Sequence, residues 1–328
     1  MKITKGKFAL FLIMTIIFTA FSIFALVYYY SETYSSFFNT AKTEFEIPGL
    51  EEGFVPQGME YEKTNDIYLV SGYMANGSAS RLYIIDNENE VKYVTFTFEN
   101  KPYKEHAGGV TSDGYGLWIV GDSTVNYLHL SEVLNAQNGD ELSIMSSFSA
   151  PNGADFVTIY DGKLIVGEFH REGNYNRDSS HEITTSSGKV NKAVSFAYEI
   201  DNNGDCGLRR TLNPIFAIST TSLVQGMSIT EDKIILSTSY SLPSSQILIY
   251  DNILNETATK ITYTGLEEEI DTYILDTPTS SKTLPPMSEE ITIKNNSLYI
   301  LFENACSKYK MWTRLNLTNV YSYNLKNL

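Results

Sequence analysis

One internal duplication constrains this chain more than any other feature. Residues 57–73 read QGMEYEKTNDIYLVSGY and residues 225–240 read QGMSITEDKIILSTSY, a match with one deletion in the middle. Three weaker copies follow the same plan: AGGVTSDGYGLWIVGD from Ala107, ADFVTIYDGKLIVGEFH from Ala154 and SEEITIKNNSLYILFEN from Ser288. Each reads as a strand, a tight polar turn and a returning strand, with Asp161-Gly162 and Asn295-Asn296 as hairpin turns. Repeated units of this size cannot each bury an apolar face alone, so they must pack on one another.

A third strand also recurs, ending in Asp-Asn: SRLYIIDN at Asn87, SFAYEIDN at Asn202 and SQILIYDN at Asn252. The Asp-Asn pair turns the chain toward a fourth strand, for which VKYVTFTFE from Val91 and TKITYTG from Thr259 are the candidates. Four antiparallel strands per unit predict an all-β fold, a five-bladed β-propeller, with six blades as the alternative count. The last copy runs out after NVYSYNL, and TEFEIPGL from Thr43 precedes the first copy. Pairing these two segments would close the ring and remove both open edges.

In such a ring the start of each inner strand and the end of the second strand share one mouth. The equivalent inner-strand positions are Gln57, Gly108, Asp155, Gln225 and Glu289, with Glu290 beside the last. Second strands reach the same end at Ser71, Asp122, Glu168, His170, Ser239, Glu303 and Asn304, and His106 precedes the second copy. The candidate ligand-binding set is therefore Gln57, His106, Asp155, Glu168, His170, Gln225, Glu289 and Glu290. Its carboxylates and amides, with no Arg or Lys on these inner positions, suit a hard cation such as Ca²⁺, with Asp155 and Glu289 as metal ligands. Clustered carboxyls also shift one another's pKa and can act as acid and base. His106, His170 and His181 fall at the same end, but their spacing matches no zinc motif. Two polar excursions, from Arg171 and from Glu267, are expected as loops at this mouth.

The units QGMEY, AGGVT and QGMSI, each opening an inner strand, with LYIIDN and ILIYDN later in the blade, resemble exported propellers of the gluconolactonase-like and strictosidine-synthase-like kind. The resemblance covers residues 43–328 in architecture. It implies a divalent ion at the mouth, held by Asp155, Glu289 and Glu168, and hydrolysis of lactones or esters. The chain departs from that group in carrying Gln57 and Gln225 where a ligating acid is expected, and in its five blades rather than six. Five-bladed glycosidases, with carboxylates around the axis, are the competing analogy.

Ahead of the repeats, Phe8–Val27 is an apolar run of 20 residues without a charge, preceded by Lys2, Lys5 and Lys7. That length crosses a bilayer once, and the positive flank keeps the N-terminus inside. The expected organisation is a cytoplasmic stub and transmembrane signal anchor (1–30), a linker (31–42) and the propeller (43–328), placed at the cell membrane with the propeller outside. With 24 Lys and Arg against 39 Asp and Glu, a net charge of −15, the chain lacks the basic face that nucleic acid requires. No G-x-S-x-G elbow, P-loop, C-x-x-C pair or dinucleotide fingerprint is present. Cys206 and Cys306 fall too far apart in the strand register to form a disulfide. The sequence thus predicts a monomeric, membrane-anchored propeller that binds a small-molecule, carbohydrate or protein ligand at an acidic mouth. A divalent-metal-dependent hydrolase of lactone, ester or glycoside bonds, using Asp155, Glu168, Glu289 and Glu290, is the alternative.

Overall fold

Strand pairing in the computed structural model, which describes residues 5–211 and 213–327, resolves into five radial sheets. The chain divides into two compact units, Met1–Ala41 and Lys42–Leu328. The first holds helices α1 (Lys5–Thr33) and α2 (Ser35–Thr40), so a short helix occupies most of the expected linker. The expected transmembrane helix is not supported: among the described residues no helix is long and apolar enough to cross a membrane. Lys2, part of the positive flank, lies outside the described residues.

The second unit is an all-β, five-bladed propeller. Blade 1 runs Phe54–Glu62, Ile67–Met74, Arg81–Ile85 and Val91–Phe98; blade 2 runs Gly109–Ser112, Gly116–Gly121, Thr124–His129 and Ser146–Ser149. Blade 3 is built on Phe156–Tyr160, Lys163–Gly167, Ala193–Glu199 and Phe216–Thr220, blade 4 on Val224–Ile229, Lys233–Thr238, Ser245–Asp251 and Ser280–Leu284. Blade 5 takes Ser288–Lys294, Ser297–Phe302 and Asn319–Asn324 and borrows Lys42–Glu46 as its outer strand. Lys42 pairs with Ser322 and Thr43 with Tyr321, antiparallel, so the ring is closed by the two ends of the domain. The hairpin turns follow from local chemistry: Asp161, Gly162, Asn295 and Asn296 all adopt positive φ, as a two-residue turn matched to strand twist requires.

Two expectations about outer strands are corrected. Thr259–Ile261 does not complete blade 4 but pairs with Ile270–Ile274, which adds parallel to Phe216–Thr220 at the edge of blade 3. The stretch from Glu267, expected as a loop, thus supplies two strands, Ile270–Ile274 to blade 3 and Ser280–Leu284 to blade 4. The same excursion occurs earlier in the chain, where Glu141–Ser143 adds parallel to the outer strand of blade 1 before the chain returns to finish blade 2. Both additions cover an outer edge that would otherwise offer unpaired backbone groups.

The apolar core lies between neighbouring blades rather than at one centre. Trp118, Tyr127, Val157 and Tyr198 fill one such layer between blades 2 and 3; Phe54, Met59, Tyr299 and Leu301 fill another between blades 1 and 5. At the axis the inner strands approach so closely that the glycine of the repeated motif is obligatory. A Cβ on Gly58 would lie 2.8 Å from Gly109 Cα and Val110 N, and one on Gly226 would lie 2.7 Å from Glu290 Cα. The G of QGM is the mark of blade meeting blade.

Candidate ligand site at the propeller mouth

Three inner strands carry a β-bulge near their start, between Pro56 and Gly58, between Val224 and Gly226 and between Ser288 and Ile291, and the bulge re-aims the side chain that it adds. The mouth level consists of Gln57, Gly108, Asp155, Gln225 and Glu289, and all five line one cavity of about 760 Å³. Residues from five blades, separated by up to 232 positions in the sequence, therefore meet at a single opening. His106 lines the same cavity.

Within it, Gln57 donates from Nε2 to Glu303 Oε2 at 3.0 Å and to the Pro56 carbonyl at 2.7 Å. Gln225 donates from Nε2 to Glu289 Oε1 at 3.4 Å. Glu289 and Glu303 are hydrogen-bonded to each other: burial, reinforced by the neighbouring carboxyl, holds Glu289 well above the usual range, and burial pushes Glu303 up to about 7. Two carboxyls in contact with limited water share one proton.

Across the opening, burial pushes Asp155 up to about 6 against the pull of Arg177, whose Nη2 donates to Asp155 Oδ2 at 2.5 Å. Phe169 N donates to the same oxygen at 2.6 Å, and Arg177 Nε donates to the Phe169 carbonyl at 2.7 Å. Asp122 is held below the usual carboxylate range by its hydrogen bond with His106. Lys308 donates to Tyr73 Oη at 2.6 Å and also lines the cavity. The inner-strand positions carry no Arg or Lys, as expected, but Arg177 and Lys308 enter the mouth from loops, which inner-strand counting leaves out.

Three of the expected site residues lie elsewhere. Glu168 is fully buried, accepting from His181 Nδ1 at 2.7 Å, Val194 N at 2.9 Å and Gly153 N at 3.3 Å. His170 is buried behind the mouth with Nδ1 at 2.8 Å from Ser222 Oγ, and burial lowers its pKa. Glu290 points down the axis into the space left by Gly58, Gly109 and Gly226. Its carboxyl accepts the backbone N–H groups of Met59, Val110 and Val157, each at 3.3 Å, which are equivalent residues of blades 1, 2 and 3. The three histidines near this end therefore serve three separate partners: Asp122, Ser222 and Glu168.

Ca²⁺ does not fit the expected ligands as they stand. Asp155 is tied to Arg177, Glu289 to Gln225 and Glu303, and Glu168 to His181, while both glutamines turn donors rather than oxygens toward the carboxyls. Among the described residues no group of three or more His, Cys, Asp or Glu side chains is placed to hold a metal ion.

Sequence reasoning missed the aromatic walls. Tyr73, Tyr309 and Trp312 stand on the side of blades 5 and 1; Phe169, Tyr175 and Tyr240 stand on the side of blades 3 and 4. Phe169 packs on Tyr175 at 5.5 Å and on Tyr240 at 6.2 Å between ring centres, and the Arg171 guanidinium lies 4.0 Å over Tyr240. Tyr175 and Arg177 arrive on the excursion from Arg171. That segment is folded, with a short hairpin (Ile183–Thr184 with Val190–Asn191) clamped by Asp276, which accepts from Thr185 Oγ1 and Ser187 N, each at 2.8 Å. The 13% aromatic content hinted at such surfaces, but rim loops have no period that assigns them.

No protein-family model matches the chain, and no curated protein does. Among solved structures it is similar to hydrazine synthase of Kuenenia stuttgartiensis (11% identity over 76% of this chain, TM-score 0.34), of which it spans 65%. It is also similar to BamB of Moraxella catarrhalis (10% identity, 83% of this chain and 84% of that one, TM-score 0.34). A third similarity is to a putative oxidoreductase (glucose dehydrogenase) of Thermus thermophilus, at 9% identity over 86% of this chain and 98% of that one, TM-score 0.35. The assignment as a propeller rests on the strand topology itself.

Proposed function

We propose that this chain is a membrane-anchored, extracytoplasmic binding module that takes its ligand in the mouth cavity. One observation carries the binding reading: equivalent positions of all five blades converge on a single opening of about 760 Å³, the size of small-molecule and oligomer-end sites. A polar floor of amides and carboxyls between aromatic walls gives such a cavity both orientation and contact area. The anchor reading is supported by the uncharged run Phe8–Val27 behind its lysines, and by the outward apolar side chains of α1, among them Phe11, Phe18 and Phe24. These need a non-aqueous cover.

The hydrolase alternative has a narrower basis. Of its four carboxyls only Asp155 and Glu289 face the cavity, and Asp155 is neutralised by Arg177. Fractionating cells that express the full chain tests the anchor, with carbonate-resistant membrane association expected and release into the medium contradicting it. Binding is tested by comparing the full chain with a Gln57→Ala/Gln225→Ala variant in a ligand screen. Loss of every ligand in the double variant is expected; ligands retained in full would place binding elsewhere.

A further inference from the structure

The chemistry lining the mouth narrows the ligand class, resting on the reading of that cavity as a binding site. Although the chain carries a net charge of −15, the lining is close to balanced. Asp155 is paired with Arg177, Asp122 sits 3.7 Å from His106, and Glu289 and Glu303, hydrogen-bonded to each other, lie near Lys308. A cationic ligand would find no free carboxylate excess, and an anionic one would meet Glu303 and Glu289. What the floor does offer is a close alternation of donors and acceptors on planar groups: the amides of Gln57 and Gln225, the carboxyls of Glu289 and Glu303, and the guanidinium of Arg177. Vicinal hydroxyls, each both donor and acceptor, satisfy such a set without bringing charge.

The walls point the same way. Trp312 is 73% exposed at the rim of a domain whose other tryptophan, Trp118, is fully buried. An exposed indole over a polar floor matches the two faces of a pyranose ring, whose C–H face is apolar and whose hydroxyl edge is polar. Tyr175, half exposed on the opposite wall, offers a second platform. We propose that the mouth binds a neutral saccharide, with one pyranose unit stacked on Trp312 and its hydroxyls held by Gln57, Gln225 and the Glu289–Glu303 pair.

The test uses the full-length chain in a detergent without a sugar headgroup, screened against an array of neutral oligosaccharides and an array of peptides of varied charge. The best binder is then titrated by intrinsic fluorescence, in which the buried Trp118 is silent to contact and Trp312 reports. A neutral oligosaccharide that binds and shifts Trp312 emission to shorter wavelength is the expected result. Trp312→Ala should weaken it about tenfold or more and Gln57→Ala severalfold, while Met311→Ala, a neighbour outside the cavity, leaves affinity unchanged. Circular dichroism melts of the three variants should match the parent. Saccharide binding that ignores both Trp312 and Gln57 overturns the placement. Binding of peptides alone, lost in Trp312→Ala, overturns the saccharide class and leaves the mouth as the site. Silence on both arrays overturns the inference together with the reading beneath it.

Discussion

Glu289 and Glu290 are consecutive residues with the same side chain on the same inner strand, yet they belong to different regions of the molecule. Glu289 faces the mouth cavity beside Glu303 and Gln225, whereas Glu290 fills the axis and accepts three backbone N–H groups from three other blades. A β-bulge separates them: between Ser288 and Ile291 the strand carries one residue more than its partner, and the two acids on it are aimed at different surroundings. The mouth is polar where it opens to solvent, and there the proposed ligand would meet it. The axis is polar because converging inner strands leave N–H groups that need an acceptor. Burial raises the pKa of both acids, so titration alone does not distinguish a ligand site from a structural pin.

The largest effect should come from the axis. Glu290→Ala would leave three buried N–H groups without an acceptor, and a loss of about 3 kcal/mol or more in urea unfolding is expected. Glu290→Gln keeps a carbonyl oxygen in place and should cost only about 1 kcal/mol. Equal losses for the two would contradict the acceptor role. Next is the wall carried on the excursion from Arg171. His181→Ala removes the partner of the buried Glu168 carboxylate, and about 2 kcal/mol of destabilisation is expected, with faster amide exchange concentrated in residues 171–192. Exchange unchanged in that segment would show that the pair does not hold it.

A third comparison is by pH. Asp155 near 6, Glu303 near 7 and Glu60, a half-buried acid lower in the tunnel, pushed by burial up to about 8, all lie above their ordinary values of 3.8 and 4.5. Between the two values the folded state binds more protons than the unfolded chain, so stability must fall as pH rises from about 4.5 to 8. Glu303→Gln should flatten the fall below pH 7, and Glu60→Gln the part up to pH 8. A stability profile rising over that range would contradict these shifts. Smallest of all, millimolar Ca²⁺ should move the melting temperature by less than about 1 °C, since a ligand stabilises only in proportion to its binding. A shift of several degrees would show that the mouth carboxyls rearrange around the ion.

Much of the ring was legible because its repeat is written in short-range chemistry. The turn pairs Asp161-Gly162 and Asn295-Asn296, the three Asp-Asn strand ends and the closing strand from Thr43 each follow from local preferences. Counting along inner strands brought Gln57, Asp155, Gln225 and Glu289 to one cavity, because the bulges at Gln57, Gln225 and Glu289 recur at equivalent places and leave the count between blades intact. The same counting misplaced Glu168 and His170, while Glu290 was turned from the mouth by the bulge between Ser288 and Ile291. At the ends of second strands the chain leaves the sheet, and the face of the side chain is then set by loops such as that carrying Arg177. Thr259–Ile261 joined the wrong blade in sequence reasoning for a related reason: which sheet edge an outer strand covers depends on exposed backbone elsewhere, not on its own residues. The glycine of QGM was visible as a repeat mark, but its cause, a neighbouring backbone only 2.7–2.8 Å from where a Cβ would lie, exists only in three dimensions.

The most direct measurement is a carboxyl NMR titration of Glu303 in the parent chain and in Gln57→Leu, two positions 246 residues apart in sequence. If blades 1 and 5 meet at one mouth as described, Glu303 titrates near 7 and moves upward when the Gln57 amide, which stabilises its ionised form, is removed. A Glu303 that titrates near 4.5 and is indifferent to Gln57 would show that the two side chains do not share an opening, and the binding site built on that convergence would go with it.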